Sequence, residues 1–426
     1  MNYKIETIGC QMNVCESDII SEFLQKKGWQ DVKDINQADI IILNTCSVRA
    51  QAEQKAFSFL GRAEELKQEK TNVKIVVIGC MAQRISQKIK KRFTKIDLIM
   101  GTDKTPVEIA AKIEKLSVKN TDDIFTNSGN DKKKKLDGKK IVGYFSIMKG
   151  CDNFCSYCVV PFVRGREKSF DDKIIFDKCF NFIENGGKEI MLLGQNVNSY
   201  NYNGLNFSGL IKKLASIDGL ERIRFMTNHP KDLSDELIET IAAEPKVCKH
   251  IHLPMQSACD KILEKMNRKY TYAHYLDLIK KLREKIKNIS VTTDIIAGFP
   301  GESKKDFDDT IRAVKEIRFG GLYAFRYSPR PDTKAANFDD DISLDEKQER
   351  LSAILAEGNE ISAQITSEMK GKIYKILTDR YENGFLEGRT TCGRKVLIKG
   401  DENNFGKILD VLIKEVKVNA LFGEIV

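Results

Sequence analysis

The stretch VGYFSIMKGCDNFCSYC, residues 142–158, joins an apolar strand to a loop that carries three cysteines. Cys151 is followed by three residues, then Cys155, two residues and Cys158. Three thiolates this close together can bind three irons of a [4Fe–4S] cluster and leave the fourth iron open for a substrate or cofactor. The alternatives are a zinc ion, whose structural sites need a fourth protein ligand, and cysteines that only pack in a core. The absence of a nearby histidine in the sequence favours the cluster.

The strand before this loop is the first of six apolar strand segments that alternate with helical segments. They are IVGYFSIM (141–148), KEIMLLG (188–194), RIRFMT (222–227), HIHLPM (250–255), SVTTDIIAG (290–298) and GGLYAFRYS (320–328). This alternation over residues 137–365 predicts a partial (β/α)6 barrel. Ligand sites of such barrels gather at the carboxyl ends of the strands, which is where the cysteine loop lies.

The regions on either side of the predicted barrel differ from it and from each other. Residues 1–117 contain the buried strands YKIETIG (3–9), ADIIILNTC (38–46) and VKIVVIGC (73–80), each followed by a helical pattern. This order predicts an N-terminal doubly wound α/β domain with a parallel sheet. Residues 118–136 are polar and Lys-rich, which predicts a linker. Residues 366–426 have short strands with Gly-containing turns, which predict a small C-terminal antiparallel β-barrel.

Three further cysteines occupy equivalent places in the N-terminal domain. Cys10, Cys46 and Cys80 lie in IGCQMN, LNTCSV and VIGCMA, and each follows the carboxyl end of a predicted parallel strand. If these strands are neighbours, their ends converge and the three thiols meet at one edge of the sheet. Spacing alone leaves two interpretations open, a second metal site and three cysteines buried in separate parts of the core.

Composition excludes some classes of protein. The 426 residues are 41% hydrophobic and 31% charged, which is typical of a globular protein with a sizeable core. No apolar run reaches the roughly 18 residues of a membrane helix, and the N-terminus has no secretory pattern, so we expect no membrane association and a cytoplasmic location. Eleven cysteines in a reducing compartment favour metal or redox chemistry over disulfides. The net charge of +9 favours an anionic partner such as nucleic acid only weakly.

Several motifs together carry a resemblance to a known family. They are GCQMN (9–13), LNTCSVR (43–49), SIMKGCDNFCSYCVVPFVRGREKS (146–169), LLGQNVNSY (192–200), HLPMQS (252–257) and GFPGE (298–302). Over almost its whole length the chain resembles the methylthiotransferase family of the radical S-adenosylmethionine (SAM) superfamily. The resemblance implies a methylthiotransferase domain at 1–117, a radical SAM domain at 137–365 and a TRAM domain at 366–426. Gln11-Met12-Asn13 is typical of the MiaB type, which modifies tRNA.

The resemblance also implies the activity and the cofactors. Such enzymes convert N6-isopentenyladenosine next to the anticodon of tRNA to its 2-methylthio derivative, using two SAM molecules and two [4Fe–4S] clusters. The catalytic cluster would be held by Cys151, Cys155 and Cys158, with SAM chelated at the open iron. An auxiliary cluster, which supplies or carries the sulfur, would be held by Cys10, Cys46 and Cys80. Replacement of an unreactive aromatic C–H bond by a C–S bond calls for radical chemistry, which the cofactor supplies while the protein positions the parts.

Residues at strand ends are the candidates for binding SAM. The expected contacts are Tyr157 and Gly298 at the adenine, Gln195 and Asn196 at the methionine amino group, and Gln256 and Ser257 at the ribose, with Asp294 in the strand before Gly298. The alternative for each is a residue that only satisfies loop backbone groups. We further expect Glu302 to cap the helix that begins near Ser303, and His229 either to face the substrate or to be a buried imidazole.

The expected partners are SAM, the anticodon stem-loop of tRNA and an electron donor such as flavodoxin or ferredoxin, and the chain is expected to be a monomer. RNA would bind mainly to the C-terminal barrel. Residues 366–426 carry 11 Lys or Arg against 9 Asp or Glu, so their charge is a weak footprint. Arg389, Arg394 and Lys395 are candidate phosphate contacts, unless they form a solvated face. The competing hypotheses are methylthiolation of a ribosomal protein and a non-catalytic iron–sulfur protein that binds RNA.

Overall fold

The computed structural model describes residues 1–47, 50–117, 140–417 and 420–426. The chain forms two compact units. The first contains the described part of Met1–Asp137 together with Val159–Arg166, and the second contains the described part of Gly138–Cys158 together with Glu167–Val426. The predicted linker, residues 118–136, lies outside the described residues. No described helix combines the length and the apolar character needed to cross a membrane.

The first unit is built on a five-stranded parallel sheet with strand order β2-β1-β3-β4-β5. Its elements are β1 (Asn2–Ile8), α1 (Gln11–Lys26), β2 (Gln30–Asp31), β3 (Ile40–Thr45), α2 (Ala50–Glu69), β4 (Lys74–Gly79), α3 (Cys80–Arg92), β5 (Leu98–Met100), α4 (Pro106–Ser117) and α5 (Val160–Arg164). Alternate residues of β3 and β4 enter two separate cores, one with α2 and α3 and the other with α1 and α4. Because helices cover both faces, the predicted doubly wound α/β domain is confirmed.

The second unit begins with six parallel strands in two three-stranded sheets, β12-β9-β6 and β13-β14-β15. The elements are β6 (Val142–Ser146), β7 (Met148–Lys149), β8 (Lys168–Ser169), α6 (Asp172–Glu184), β9 (Glu189–Leu193), β10 (Asn201–Tyr202), β11 (Leu205–Asn206), α7 (Phe207–Ala215), β12 (Arg222–Phe225), α8 (Asp235–Ala243), β13 (His250–His252), α9 (Asp260–Lys265), α10 (Tyr272–Lys285), β14 (Ser290–Ala297), α11 (Lys304–Ile317), β15 (Gly321–Arg326) and α12 (Leu344–Ser367). A parallel bridge joins Ile223 of β12 to Val247, three residues before β13 begins. All six predicted strands are present, so the partial (β/α)6 architecture is confirmed.

The C-terminal part of the second unit is a closed five-stranded barrel. Its strands are β16 (Ile373–Glu382), β17 (Phe385–Arg389), β18 (Lys395–Lys399), β19 (Ile408–Lys417) and β20 (Ala420–Ile425). Four strand pairs are antiparallel as predicted, whereas β18 and β20 pair in parallel. A ring with an odd number of strands cannot alternate in direction all the way round, so closure itself requires one parallel pair.

Buried arginines of β12 fasten this barrel to the parallel strands of the same unit. Arg224 donates to the carbonyls of Thr390 at 2.6 Å and Thr391 at 3.1 Å, and its Nε donates to Glu189 at 2.8 Å. Arg222 donates to the carbonyl of Arg389 at 2.6 Å. Hydrogen bonds from charged donors are strong, and here they bond to carbonyl groups of the barrel. The attachment of the C-terminal barrel to β12 therefore depends on these two arginines.

Candidate cluster and cofactor site

The loop with Cys151, Cys155 and Cys158 follows β6 and the short β7, at the carboxyl end of the first barrel strand. The amide of Gly150 donates to Gln195 Oε1 at 2.7 Å, so the segment after β9 holds the start of the loop. Phe154 adopts a φ of 46°, a left-handed conformation that lets the chain turn back between the cysteines. The loop geometry is therefore fixed by its own backbone and by the neighbouring strand end.

A buried arginine lies against this loop. Arg268 Nη1 donates to Cys155 Sγ at 3.5 Å, Nη2 donates to the Pro254 carbonyl at 3.0 Å, and Nε donates to the Tyr270 hydroxyl at 3.1 Å. The amide of Ser156 donates to the Met266 carbonyl at 3.0 Å, which ties the loop to the same region. Burial raises the pKa of Cys151 to about 11, so the protonated thiol is favoured there, and binding of a metal would have to displace its proton.

Several buried polar atoms of the second unit, counted among the described residues, have no hydrogen-bond partner. They are Ser156 Oγ, Asn196 Oδ1, Asn228 Oδ1, His229 Nε2 and Gln256 Oε1. Apart from Ser156, which belongs to the cysteine loop, each lies shortly after the carboxyl end of a parallel strand. Buried polar atoms are normally paired, so a group of unpaired ones at the ligand-binding end of a barrel fits a polar ligand such as SAM.

Two of the candidate SAM residues keep an unpaired atom. Asn196 donates through Nδ2 to Asp232 at 2.7 Å, which leaves its Oδ1 free. Gln256 is buried and has a left-handed φ of 69°, and its Oε1 has no hydrogen-bond partner. These two side chains have the geometry of ligand contacts, and their role remains a prediction.

The other candidates have local partners. Ser257 Oγ accepts from the Cys259 amide at 3.2 Å, and Asp294 Oδ2 lies 3.4 Å from His252 Nε2. Tyr157 packs edge-on against Phe299 with ring centroids 6.4 Å apart. These contacts are of the kind expected for residues that support a loop.

Gly298 and Glu302 form one local arrangement. Gly298 has a φ of 68°, and a Cβ there would overlap the side chain of Lys347. Its amide donates to Glu302 Oε2 at 2.8 Å, and Glu302 also accepts from Arg350 Nη1 at 2.8 Å. The expectation that Glu302 caps the next helix is wrong, because the Ser303 hydroxyl caps that helix. Glu302 is buried instead with its arginine partner.

His229 is buried. Its Nδ1 accepts from the Lys231 amide at 3.2 Å, and its ring packs edge-on against Tyr270. Burial and the nearby Arg268 lower the pKa of His229 far below its usual range, so the imidazole is neutral. A neutral ring with a free Nε2 could still meet a ligand, so both alternatives from the sequence stay open.

The second cysteine triad is set by strand register in the first unit. Ile8 of β1 lies opposite Thr45 of β3, and Thr45 lies opposite Gly79 of β4. The three cysteines follow these residues by one or two positions, so they lie at the same edge of neighbouring strands; they are Cys10, Cys46 and Cys80. A hydrogen bond from Cys46 lowers the pKa of Cys10 to about 6. The three thiols therefore lie at one edge of the sheet and a thiolate is favoured at Cys10, while their joint role as ligands stays a prediction.

An asparagine pair organises this edge. Asn13 Oδ1 accepts from the amide of Cys10 at 3.3 Å, and Asn13 Nδ2 donates to Asn44 Oδ1 at 2.9 Å and to the Thr45 carbonyl at 3.1 Å. Both asparagines are fully buried. A Cβ at Gly9 would overlap Asn13, so the residue before Cys10 must be small. The network fixes the two chain segments that carry Cys10 and Cys46.

Cys80 has an arginine partner in the same unit. Arg164, the last residue of α5, donates through Nε to Cys80 Sγ at 3.1 Å and pairs with Glu16. Burial raises the pKa of Cys80, and the charge of Arg164 opposes that effect. The guanidinium therefore supplies positive charge where a thiolate ligand would need it.

The donor sets fit iron–sulfur clusters. Among the residues that the structure describes, no three His, Cys, Asp or Glu side chains are gathered tightly enough to hold one metal ion. Each triad consists only of thiols and receives an arginine donor on one sulfur. Cysteine thiolates spread over several irons are the usual ligands of a [4Fe–4S] cluster, and hydrogen bonds to their sulfurs tune it.

Comparison with known proteins assigns the parts of the chain. Residues 2–101 match "Uncharacterized protein family UPF0004", residues 145–314 match "Radical SAM superfamily", and residues 368–426 match "TRAM domain". A protein of Endomicrobium trichonymphae named "tRNA-2-methylthio-N(6)-dimethylallyladenosine synthase" is 57% identical over 427 residues, which cover 100% of both chains. This chain belongs to that synthase family. A synthase of the same name from Alkaliphilus oremlandii is 41% identical over 441 residues, covering 100% of this chain and 92% of its own.

Solved structures support the fold of this synthase family member. The radical SAM methyltransferase TsrM from Kitasatospora setae matches with a TM-score of 0.57 at 12% identity, covering 91% of this chain and 80% of its own. The cobalamin-dependent SAM radical enzyme OxsB matches with a TM-score of 0.52 at 10% identity, covering 83% and 56%. A radical SAM enzyme requires SAM and a [4Fe–4S] cluster, so these cofactors follow from the family.

Sequence reasoning gave no role to several residues of this synthase site. Arg164 lies in VRGREKS, Arg268 in MNRKY and Asn13 in GCQMN, and all three contact a cysteine of a triad. Asn13 lies three residues after Cys10 in the GCQMN motif, and this proximity could have indicated a contact with the cysteine. The partners of Arg164 and Arg268 are 84 and 113 positions away in sequence, so only the fold could reveal them.

Proposed function

We propose that this chain converts N6-dimethylallyladenosine in tRNA to its 2-methylthio derivative. The observation that carries the proposal is the 57% identity, over the whole of both chains, to a synthase named for this reaction. The thiol loop at the mouth of the partial barrel supplies the site that radical chemistry needs. Methylthiolation of a ribosomal protein is not favoured, because the similar curated proteins carry the tRNA name.

The residues of the second unit have separable tasks in this proposal. Bound together, SAM and a [4Fe–4S] cluster supply the one-electron chemistry that breaks an unactivated C–H bond. Cys151, Cys155 and Cys158 would hold the cluster, with Arg268 donating to one sulfur and Gln195 bracing the loop. Strand ends and buried contacts fix the positions of these side chains, so the loop should keep its conformation when SAM binds.

SAM would meet the unpaired polar atoms near this loop. Asn196 Oδ1 and Gln256 Oε1 are acceptors suited to the amino group and ribose hydroxyls of SAM. Tyr157 would lie beside the adenine, with Ser257, Asp294 and Gly298 shaping the pocket wall. Because these two acceptors have no hydrogen-bond partner in the protein, SAM could bond to them without breaking an existing hydrogen bond.

A second [4Fe–4S] cluster at Cys10, Cys46 and Cys80 is part of the proposal. The aligned register of β1, β3 and β4 and the hydrogen bond between Cys10 and Cys46 support it. This cluster would carry the sulfur that becomes the methylthio group. The thiolate character favoured at Cys10 suits a cluster ligand, since the thiolate is the form that binds metal.

We propose that the C-terminal barrel recognises RNA and that its ligand is the anticodon stem-loop of tRNA. Arg389 has an exposed side chain and stays a candidate phosphate contact. Arg394 also stays a candidate, although its guanidinium already donates to the Gly320 carbonyl at 2.6 Å and to Ser362 Oγ and would have to share or leave these partners to reach a phosphate. Lys395 pairs with Glu387 at 2.6 Å, so its charge is already partly compensated.

The remaining proposals concern the setting of the reaction. We retain domain bounds of 1–117, 137–365 and 366–426, a monomeric chain in the cytoplasm, and an electron donor such as flavodoxin or ferredoxin. One-electron reduction of a cluster needs such a donor.

Complementation tests the function. A bacterial strain without its own methylthio nucleoside synthase would receive the wild-type gene or the variant Cys155→Ser, and its tRNA nucleosides would be analysed by mass spectrometry. We expect the 2-methylthio nucleoside only with the wild type. Unmodified tRNA with well-expressed, cluster-loaded wild-type protein would contradict the proposal, and equal modification by Cys155→Ser would contradict the assigned cluster.

A further inference from the structure

Arg164 is a buried charge beside the second triad. Its side chain is 5% exposed, and it contacts Cys80 Sγ at 3.1 Å as well as the carboxylate of Glu16. Glu16 is 22% exposed, so water screens its charge better than that of the guanidinium. A positive charge held against a cysteine sulfur with little screening acts strongly on that sulfur.

The segment that carries Arg164 is anchored for this contact. Val159 and Val163 are buried in one cluster with Cys80, and Thr102 donates to the Val163 carbonyl. Gly165, with a φ of 78°, ends α5 immediately after Arg164. Apolar packing on one side of α5 and a fixed helix end therefore aim the guanidinium at Cys80.

We propose that Arg164 is a positioning residue of the second cluster, which holds the Cys80 ligand in place and raises the reduction potential of the cluster. One-electron reduction adds a negative charge to the cluster, and a nearby guanidinium stabilises the reduced form more than the oxidised form. A hydrogen bond to the ligand sulfur acts in the same direction. This inference rests on the proposed second cluster.

Arg164 lies close in sequence to a cysteine of the other triad. Arg164 follows the catalytic ligand Cys158 by only six residues, yet residues 159–166 belong to the compact unit that holds Cys10, Cys46 and Cys80. One short segment thus provides a ligand for one triad and a charge for the other. A change at Arg164 should therefore alter the second cluster without removing any cysteine.

Redox titration tests the inference on the full chain. In a reference protein with Cys151, Cys155 and Cys158 replaced by Ala, any cluster signal after anaerobic reconstitution comes from the second triad. Iron and sulfide are measured first, and electron paramagnetic resonance then follows stepwise reduction with dithionite. About four irons are expected in the reference protein. If it binds none, the second cluster of the proposed function fails, independently of any role for Arg164.

Two variants and a control decide the role of Arg164 itself. Arg164→Met removes the charge, and we expect at least a tenfold lower ratio of reduced to oxidised cluster at the reference midpoint, or about 59 mV for one electron. Glu16→Gln leaves Arg164 uncompensated, so the ratio should rise. Lys74→Met is the control, because Lys74 begins β4 and lies five residues, or roughly 17 Å, from the Cys80 end. Its ratio should stay unchanged.

Each result of the redox titration either supports or overturns the role of Arg164. A lower potential for Arg164→Met with its cluster retained supports the inference, and an unchanged potential overturns it. If Arg164→Met fails to bind a cluster, Glu16→Gln, which keeps the arginine, decides by the same measurement. An unchanged potential for Glu16→Gln in that case overturns the inference.

Discussion

A substitution at Gln195 can distinguish two roles that the sequence left open for this residue. Its side chain either contacts SAM or holds the cluster loop in place through a hydrogen bond. Its Oε1 accepts from the amide of Gly150, which is buried and immediately precedes Cys151. Gln195→Ala leaves that amide without a partner, which costs about 1–3 kcal/mol. Because about 1.4 kcal/mol corresponds to a factor of ten, the loop should release iron roughly 5-fold to 150-fold faster.

The assay is chelator-driven iron release under anaerobic conditions, in protein whose second triad is replaced by Ala so that one cluster is observed. Gln195→Glu keeps an acceptor oxygen and should release iron more slowly than Gln195→Ala. Gln348→Ala is the matched control, since Gln348 is exposed on α12 and bonds only weakly to Ser352. Release from Gln195→Ala at the reference rate would refute the bracing role, and weaker SAM binding alone would favour the SAM contact.

Three further predictions follow from buried polar groups. Arg224→Met removes the 2.8 Å hydrogen bond to the buried Glu189 and leaves it only the 3.9 Å ion pair with Arg222, so the unfolding free energy in urea should fall by about 1.5–3 kcal/mol; a loss below about 1 kcal/mol would contradict the anchoring. Asn13→Ala removes the acceptor for the Cys10 amide, so at least half of the second cluster's iron should be lost on reconstitution, whereas full loading would count against the network. Burial lowers the pKa of His250 to about 3, so the folded protein keeps it neutral while the unfolded chain protonates near pH 6.5. Urea midpoints should fall from about pH 6.5 towards pH 3, and His250→Gln should reduce that dependence, with the buried His229 contributing the rest. An unchanged slope in that variant would exclude His250 as the cause.

Periodicity and strand-end position predicted the larger features because they depend on local sequence. The apolar runs of β3 and β4 indicate strands buried on both faces, and the cysteines that follow them lie at the same edge of the sheet because parallel strands end at one edge. The sequence left open whether Cys10, Cys46 and Cys80 share a metal site. The observed register of β1, β3 and β4 places them at one edge of the sheet, and a shared site stays a prediction.

The contacts that the sequence left undecided join distant parts of the chain. Gln195 bonds to an amide 45 positions earlier, and Arg394 folds back on Gly320, 74 positions earlier. The sequence does not show whether an arginine side chain already has hydrogen-bond partners, so it left Arg394 open between a phosphate contact and a solvated face. The parallel pair in the C-terminal barrel likewise follows from closure of five strands, which no single strand sequence encodes.

Iron and acid-labile sulfide per chain, measured in anaerobically reconstituted full-length protein, test most directly whether two triads each hold a cluster. About eight irons and eight sulfides are expected, and about four of each when either triad is replaced by Ala. A wild-type value of about four that does not change when Cys10, Cys46 and Cys80 are replaced would contradict the account.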